Sequence, residues 1–353
     1  MKKILAIVIA ILMVAVTFAS CASPVDGMST GDGSSSGLGG GVAQNPINSG
    51  NSNVGGSSNE EDLNGSESSA DGTLDESDGG SDSASGENNN EISAAGAVYT
   101  KNGTSVTFGS YPQALVSDDT LTASLESKAG GLPSLSDKWK TCNGVSDMVY
   151  VDVEENGKKY RGIYFTAYRD SGKGDFYQDD NGYSINTAYW FEYQPITWTV
   201  LAEENGKAFI LADISLDSQA FDSFSTSYAS SSIKSWLNDD FYNTAFNKLQ
   251  QAIIADTAVD GSNEKVFLLS STEVTEKMTF ESDRQKTASD YSKALGKYVD
   301  GSGNGWWLLR DVSTSKDGTV SRVKTDGSIH YIAPVVNTGG IVPALWFTLT
   351  PEV

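Results

Sequence analysis

Apolar and polar positions divide this chain into three stretches with different periods. The first is an unbroken apolar run from Ile4 to Phe18 behind Lys2 and Lys3. The second, residues 22–96, holds no aromatic residue and no apolar period. The third, residues 97–353, is periodic throughout. Ser105–Phe108 alternates as a strand does and is followed by a turn at Gly109–Pro112. Thr120–Lys128 reads as a helix, followed by a loop. Two hairpins follow: Met148–Val153 with Lys159–Ala167, and Ala188–Leu201 with Lys207–Ala212, each closed by Glu-Asn-Gly-Lys. The Asp- and Gly-rich segment 169–184 between them reads as loop. Ile233, Trp236, Leu237 and Asp240 keep helical spacing behind a cap at Ser230 or Ser231. A second helix is expected over Asn243–Ala255, with Phe246, Leu249 and Ile253 on one face. A short strand at Val266–Ser270, a helix capped by Ser271, and a helix over 287–299 come next. Trp306–Leu309 reads as a buried strand. Val320–Lys324, Ile329–Val335 and Val342–Leu349 then alternate around turns at Asp326-Gly327 and Gly339-Gly340. Strands and helices fall in blocks, so the expected class is α+β with mainly antiparallel sheets and a few helices.

The apolar run belongs to a leader. A positive start, an apolar middle and small residues at Ala19-Ser20 describe a secretory signal peptide over 1–21. Cys21 directly after the small residues matches a lipoprotein signal, with Cys21 as the lipid-bearing residue. Phe18 stands where such signals carry Leu, so cleavage by the ordinary signal peptidase is an alternative. An uncleaved anchor is disfavoured, because the run is shorter than the roughly 20 residues a spanning helix needs. The expected location is exported and membrane-anchored at the cell surface.

Composition makes residues 22–96 a tether. They lack Lys, Arg, Trp, Tyr and Phe, and residues 1–96 hold thirteen acidic side chains, all beyond Cys21. Such a segment cannot bury enough apolar surface to offset its chain entropy, so disorder is expected. A Gly/Ser-like chain of 75 residues reaches roughly 50 Å, and like charges lengthen it. The whole chain has 46 acidic and 24 basic residues; removing 13 and 2 leaves 33 and 22 in 97–353, a net of −11. A body this acidic is a poor partner for nucleic acid or anionic lipid heads. With Cys21 lipidated, Cys142 is left alone; no internal disulfide forms, and a buried thiol is expected.

The folded part resembles a bacterial family catalogued as domain of unknown function 6273. The resemblance rests on Val106-Thr107-Phe108-Gly109-Ser110-Tyr111-Pro112-Gln113, Lys159-Tyr160-Arg161-Gly162 and the stretch from Tyr189 to Trp198. It continues through Ser231–Asn238, Phe241-Tyr242-Asn243, Val266–Ser270, Trp306-Trp307-Leu308 and Pro343–Trp346. In that family a Glu stands at the position of Gln194, and Arg residues stand where this chain has Thr199, Leu309 and Val342. One reading is that relatives hold these charges as a buried network, since losing one partner alone costs about 3–5 kcal/mol. The last third is also similar to the end of C-type-lectin-like domains, a fold shared by sugar binders, protein binders and formylglycine-generating enzymes. Fold alone does not give function.

Candidate chemistry is sparse. His330 is the only histidine, and with no Gly-x-Ser-x-Gly elbow it reads as a strand residue rather than a catalytic base. Asp300, Ser302 and Asn304, with Gly305 and Asp311 at positions 6 and 12, mimic a calcium loop, though the last ligand is Asp and no second helix follows. A plain turn into the Trp306 strand is the simpler reading. Asp170, Asp175, Asp179 and Asp180 form a second acidic loop, a weaker calcium candidate. Trp139, Tyr177, Tyr183 and Tyr189 lie in or beside polar loops and are the candidates for stacking on a glycan. Trp198, Trp236, Trp307 and Trp346 sit at periodic apolar positions and read as core. Three functions compete: a tethered module binding a glycan or surface protein, an exported carboxylate-based hydrolase, and a structural envelope protein. No recognisable carboxylate pair favours the second.

Overall fold

The computed structural model describes residues 98–349, except 144, 172, 173 and 175. The leader, Cys21 and the linker lie outside the described residues. The strands in chain order are β1 (Thr100–Asn102), β2 (Ser105–Leu115), β3 (Lys140–Thr141), β4 (Met148–Glu155), β5 (Lys158–Phe165), β6 (Ala188–Glu204), β7 (Lys207–Ala212) and β8 (Asp217–Ala220). They continue with β9 (Thr257–Val259), β10 (Ser262–Glu264), β11 (Trp307–Val312), β12 (Thr319–Val323), β13 (Ile329–Pro334), β14 (Thr338–Ile341) and β15 (Ala344–Thr348). The class is α+β. Among the named strands only β11 and β14 pair in parallel; the rest are antiparallel. Among the described residues no helix is long and apolar enough to cross a membrane.

An eight-stranded sheet runs β1-β2-β6-β5-β4-β3, with β7 on β6 and β15 on β7. β6 is long enough to divide one edge between two partners: β5 pairs with 188–192 and β7 with 198–204, while β2 takes the opposite edge. Both Asn-Gly hairpins form, with φ of 51° and 75° at Asn156 and Gly157 and 53° and 72° at Asn205 and Gly206, the double positive φ of a type I′ turn. A five-stranded sheet runs β13-β12-β11-β14-β8. The main core lies between the sheets and short helices, with Phe108 stacked on Phe347 at 5.3 Å and Phe209 on Trp346 at 4.9 Å. A smaller cluster of Leu125, Trp139, Val151, Tyr160 and Trp190 packs helix α1 (Asp119–Ala129) on the outer strands.

The structure corrects several local expectations. Gly109–Pro112 is not a turn but the middle of β2. Three steps on β2, Thr107 to Ser110, face two steps on β6, Thr197 to Pro195, so one extra residue is accommodated as a β-bulge with Gly109 at φ 75°. The expected helix over Asn243–Ala255 breaks at Phe246, which is extended and buried against Phe108 and Trp198; Asn247 then caps a new turn, Lys248–Ile253. Leu249, assigned to the apolar face, is 62 % exposed. Val266–Ser270 is buried but holds only an isolated bridge from Phe267 to Ala344. The helix expected over 287–299 is confined to Asp290–Ala294 and ends at Gly296 in the left-handed region. Gly339-Gly340 is strand β14 rather than a turn, because a Cβ at Gly339 would lie 2.5 Å from the Trp306 ring. In this chain the positions inferred to form a buried network in relatives are placed apart in exposure: Gln194 and Thr199 are exposed on β6, whereas Val342 is fully buried.

Candidate functional site

Five separate parts of the chain bring polar side chains to one small cavity. It is lined by Tyr111 of β2, Tyr150 of β4, Arg161 of β5, Asp217 and Gln219 of β8, and Tyr291 of the helix Asp290–Ala294. Cys142, Asn143 and Asp240 form its rim. The volume is about 50 Å³, room for one or two water-sized groups at about 30 Å³ each.

The β2 bulge builds this site. Val106 and Phe108 face the core at even positions, and unbroken alternation would send Tyr111 outward. The extra residue at Gly109 reverses the parity, so Tyr111 turns in and donates to Asp217 Oδ2 at 2.7 Å. Asp217 Oδ1 accepts from the Ser218 amide at 2.6 Å and from Gln219 Nε2 at 2.9 Å. Its backbone carbonyl accepts from Ser215 and Ser292. Burial pushes the Asp217 carboxyl up to about 6, although the donors around it favour the charged form.

Arg161 stands opposite Asp152 in the β4–β5 register and binds it in two-pronged fashion, Nε to Oδ1 at 2.8 Å and Nη2 to Oδ2 at 2.9 Å. Tyr193 donates to both Asp152 oxygens at 3.1 Å. The guanidinium lies 4.4 Å over the Tyr150 ring. Burial alone would raise the Asp152 carboxyl, but Arg161 holds it below its ordinary range. Cys142 is half-buried rather than buried, and desolvation pushes its thiol up to about 12, so the thiolate is negligible at neutral pH.

Asp217 makes a testable contribution to the pH dependence of stability. Its folded pKa lies above the unfolded value of 3.8. The native state therefore binds the extra proton, and this contribution is full below about pH 4 and lost as pH rises through about 6. Asp217→Asn keeps one acceptor oxygen, for the Ser218 amide and Gln219, and removes the titration. Stability measured by urea unfolding should fall on the order of 2–3 kcal/mol less in the variant than in the parent between pH 4 and 7. Parallel pH curves for the two proteins would contradict this.

The residues singled out in the sequence do not converge here. Trp139 is buried against Trp190 and Tyr164 and donates to the Gly131 carbonyl at 3.0 Å. Tyr183 is core, edge-on to Tyr189 at 5.1 Å; the half-buried Tyr189 hydroxyl accepts from the Ser184 amide at 2.9 Å. Tyr177 alone is exposed, at the start of the turn Gln178–Asn181, where its amide donates to Asp180 at 2.8 Å. Asp300 Oδ1 turns back to the amides of Ser302 and Asn304 at 2.9 and 3.0 Å. Asp311, the supposed twelfth ligand, lies on β11 and accepts instead from the Ser271 amide. Asp170 bridges to Tyr177, Asp179 sits in the turn, and Asp175 lies outside the described residues. Among the described residues no three His, Cys, Asp or Glu side chains are placed to hold a metal ion.

Sequence reasoning passed over Asp217, Gln219 and Tyr291 as site residues. The available signal was the pair of quoted motifs: Tyr111 and Arg161 belong to the Gly-x-Tyr and Tyr-Arg-Gly segments of the family resemblance, and both line this cavity. Compared with known proteins, residues 205–349 match the family described as Domain of unknown function (DUF6273). The match starts after β6, so it includes Asp217, Gln219 and Tyr291 but not Tyr111 or Arg161. No curated protein and no solved structure matches the chain.

Proposed function

We propose that this chain, whose residues 205–349 match the DUF6273 family, is an exported surface lipoprotein that displays a ligand-binding body on a polar tether. The observation carrying the binding reading is the cavity at Asp217. Five distant elements place a carboxyl group, three tyrosines, a guanidinium and an amide around a space of about 50 Å³. Polar groups buried together with room left over suit the capture of one polar group of a larger glycan or protein ligand. The export reading is supported by Lys2-Lys3, the Ile4–Phe18 run and Cys21 behind Ala19-Ser20.

The hydrolase reading has one observation in its favour. Asp217 and Asp240 line the same cavity, and a carboxyl that titrates near 6 suits a general acid. The cavity is too small for a sugar ring between two carboxylates, which favours binding over turnover.

The test is a glycan array and surface-protein capture with the purified protein, with and without calcium, beside the Tyr111→Phe and Asp217→Asn variants. Binding without turnover, weakened about tenfold or more by both substitutions, is the expected result. Release of product from any bound glycan replaces this reading with the hydrolase. Absence of binding across both screens leaves the envelope-structural role. Labelled palmitate should enter the wild-type protein in its host and not Cys21→Ala; label in neither would refute lipidation.

A further inference from the structure

Around Trp306, at the start of β11, lies a group of nitrogens that the Asp217 cavity does not use. Lys297 is fully buried, and its Nζ stands 5.1 Å from the centre of the Trp306 ring with no hydrogen-bond partner. The Arg322 guanidinium lies 4.8 Å over the same ring, and its Nε is buried without an acceptor. The Trp306 Nε1 is buried and unpaired as well. His330 faces Arg322 across the β12–β13 ladder, and its Nδ1 has no partner. Three of these four nitrogens can only donate. All four lack an acceptor.

The backbone makes room for them. A Cβ at Gly340 would lie 2.4 Å from Lys297 Nζ, and one at Gly305 would lie 2.9 Å from it. Gly339 leaves space for the indole in the same way. Glycine at these places serves a lysine and a tryptophan rather than a turn.

The missing acceptor stands out because acids are plentiful: 46 against 24 bases in the chain. Three other sheltered cations have found carboxylates, Arg161 with Asp152, Arg310 with Glu273 and Lys234 with Glu264. Each buried donor left unpaired forfeits its hydration without a hydrogen bond in return. Burial, reinforced by the nearby Arg322 charge, holds Lys297 well below its ordinary range. Arg322 and His330 are half-exposed and form the outer side; Lys297 and Trp306 form the inner side.

We propose that Lys297, Trp306, Arg322 and His330 form a receptor for an oxyanion group carried by a ligand, a carboxylate, sulfate or phosphate. The net negative charge of the body does not oppose this at contact distance. Screening confines it to about 8 Å at physiological salt, and local donors decide within that range. None of the four residues lines the Asp217 cavity, so the two sites are tested separately.

The experiment uses the purified full chain, with melting temperature and tryptophan fluorescence followed during titration with sodium acetate, glucuronate, sulfate and phosphate. Sodium chloride holds ionic strength constant. An oxyanion should raise the melting temperature and change the fluorescence saturably, beyond chloride. Response to the carboxylates alone assigns a planar ligand group, and response to sulfate or phosphate a tetrahedral one; either supports the site. Arg322→Gln should raise the half-saturating concentration at least tenfold. Lys297→Met removes an unpaired donor from an apolar setting, so it should melt higher without anion and lose the anion-dependent rise. Asp217→Asn should leave that rise unchanged. Equal effects of chloride and oxyanions, or a full response in both Arg322→Gln and Lys297→Met, overturn the proposal.

Discussion

Gly109→Ala should lower stability by about 2–6 kcal/mol, combining about 1–3 for a side chain forced into the left-handed region with about 1–3 for overpacking. The added Cβ would lie 2.7 Å from Phe246 Cε1 and 2.8 Å from the Ala245 carbonyl oxygen, at φ 75°. Neither neighbour can yield: Phe246 is wedged between Phe108, Trp198, Phe241 and Tyr242. A loss of that size is a large share of an ordinary domain's stability and corresponds to roughly 2–4 °C in melting temperature per kcal/mol for a body of this size. Gly103→Ala is the control. Its φ is similar, 59°, but nothing lies within 4 Å of the new Cβ, so only the conformational part, about 1–3 kcal/mol, is expected. The clash would also displace the bulge that aims Tyr111 at Asp217, so Gly109→Ala should weaken the binding proposed for the cavity even at temperatures where it stays folded. Superimposable melting curves for the Gly109 and Gly103 variants would contradict the steric argument.

Val342→Arg should cost at least about 3–5 kcal/mol, the range for a buried charge without a partner. Val342 is fully buried beside Ile341 and Ala344, which are also fully buried. The family resemblance, which implies Glu at the position of Gln194 and Arg at that of Val342, makes Gln194→Glu the obvious partner to restore. In this chain Gln194 is exposed on β6, with its carbonyl accepting from Gln113 at 2.9 Å. The double variant should therefore unfold like Val342→Arg alone, with the two effects additive within about 0.5 kcal/mol. Chemical denaturation of the two singles and the double measures this directly. Recovery of most of the loss in the double variant would show that the two positions couple after all.

The parts of the fold that were legible in the sequence are those fixed by short-range chemistry. Asn156-Gly157 and Asn205-Gly206 specify their turns because both residues must take positive φ, and few other pairs do so at low cost. The cap at Ser231 and the alternation in β4 to β7 are equally local. The mistaken glycines show where such reasoning stops. Gly109 and Gly339-Gly340 carry a turn signal in sequence, yet each sits in a strand because a distant ring or lysine occupies the space a Cβ would fill. Polar-loop context also misplaced Trp139 and Tyr183, whose neighbours in sequence are polar while their neighbours in space are Trp190 and Phe191.

The sequence by itself determined the two Asn-Gly hairpins, the antiparallel α+β class and the division between an aromatic body and the acidic segment before it. Those properties depend on period, composition and backbone preference, all of which are written within a few residues. Only the tertiary structure decided that Tyr111, Arg161, Asp217 and Tyr291 meet, and that Lys297 and Arg322 share Trp306. Such meetings depend on strand register, on a single inserted residue in β2 and on how the sheets pack, and none of these leaves a mark at the positions that are brought together.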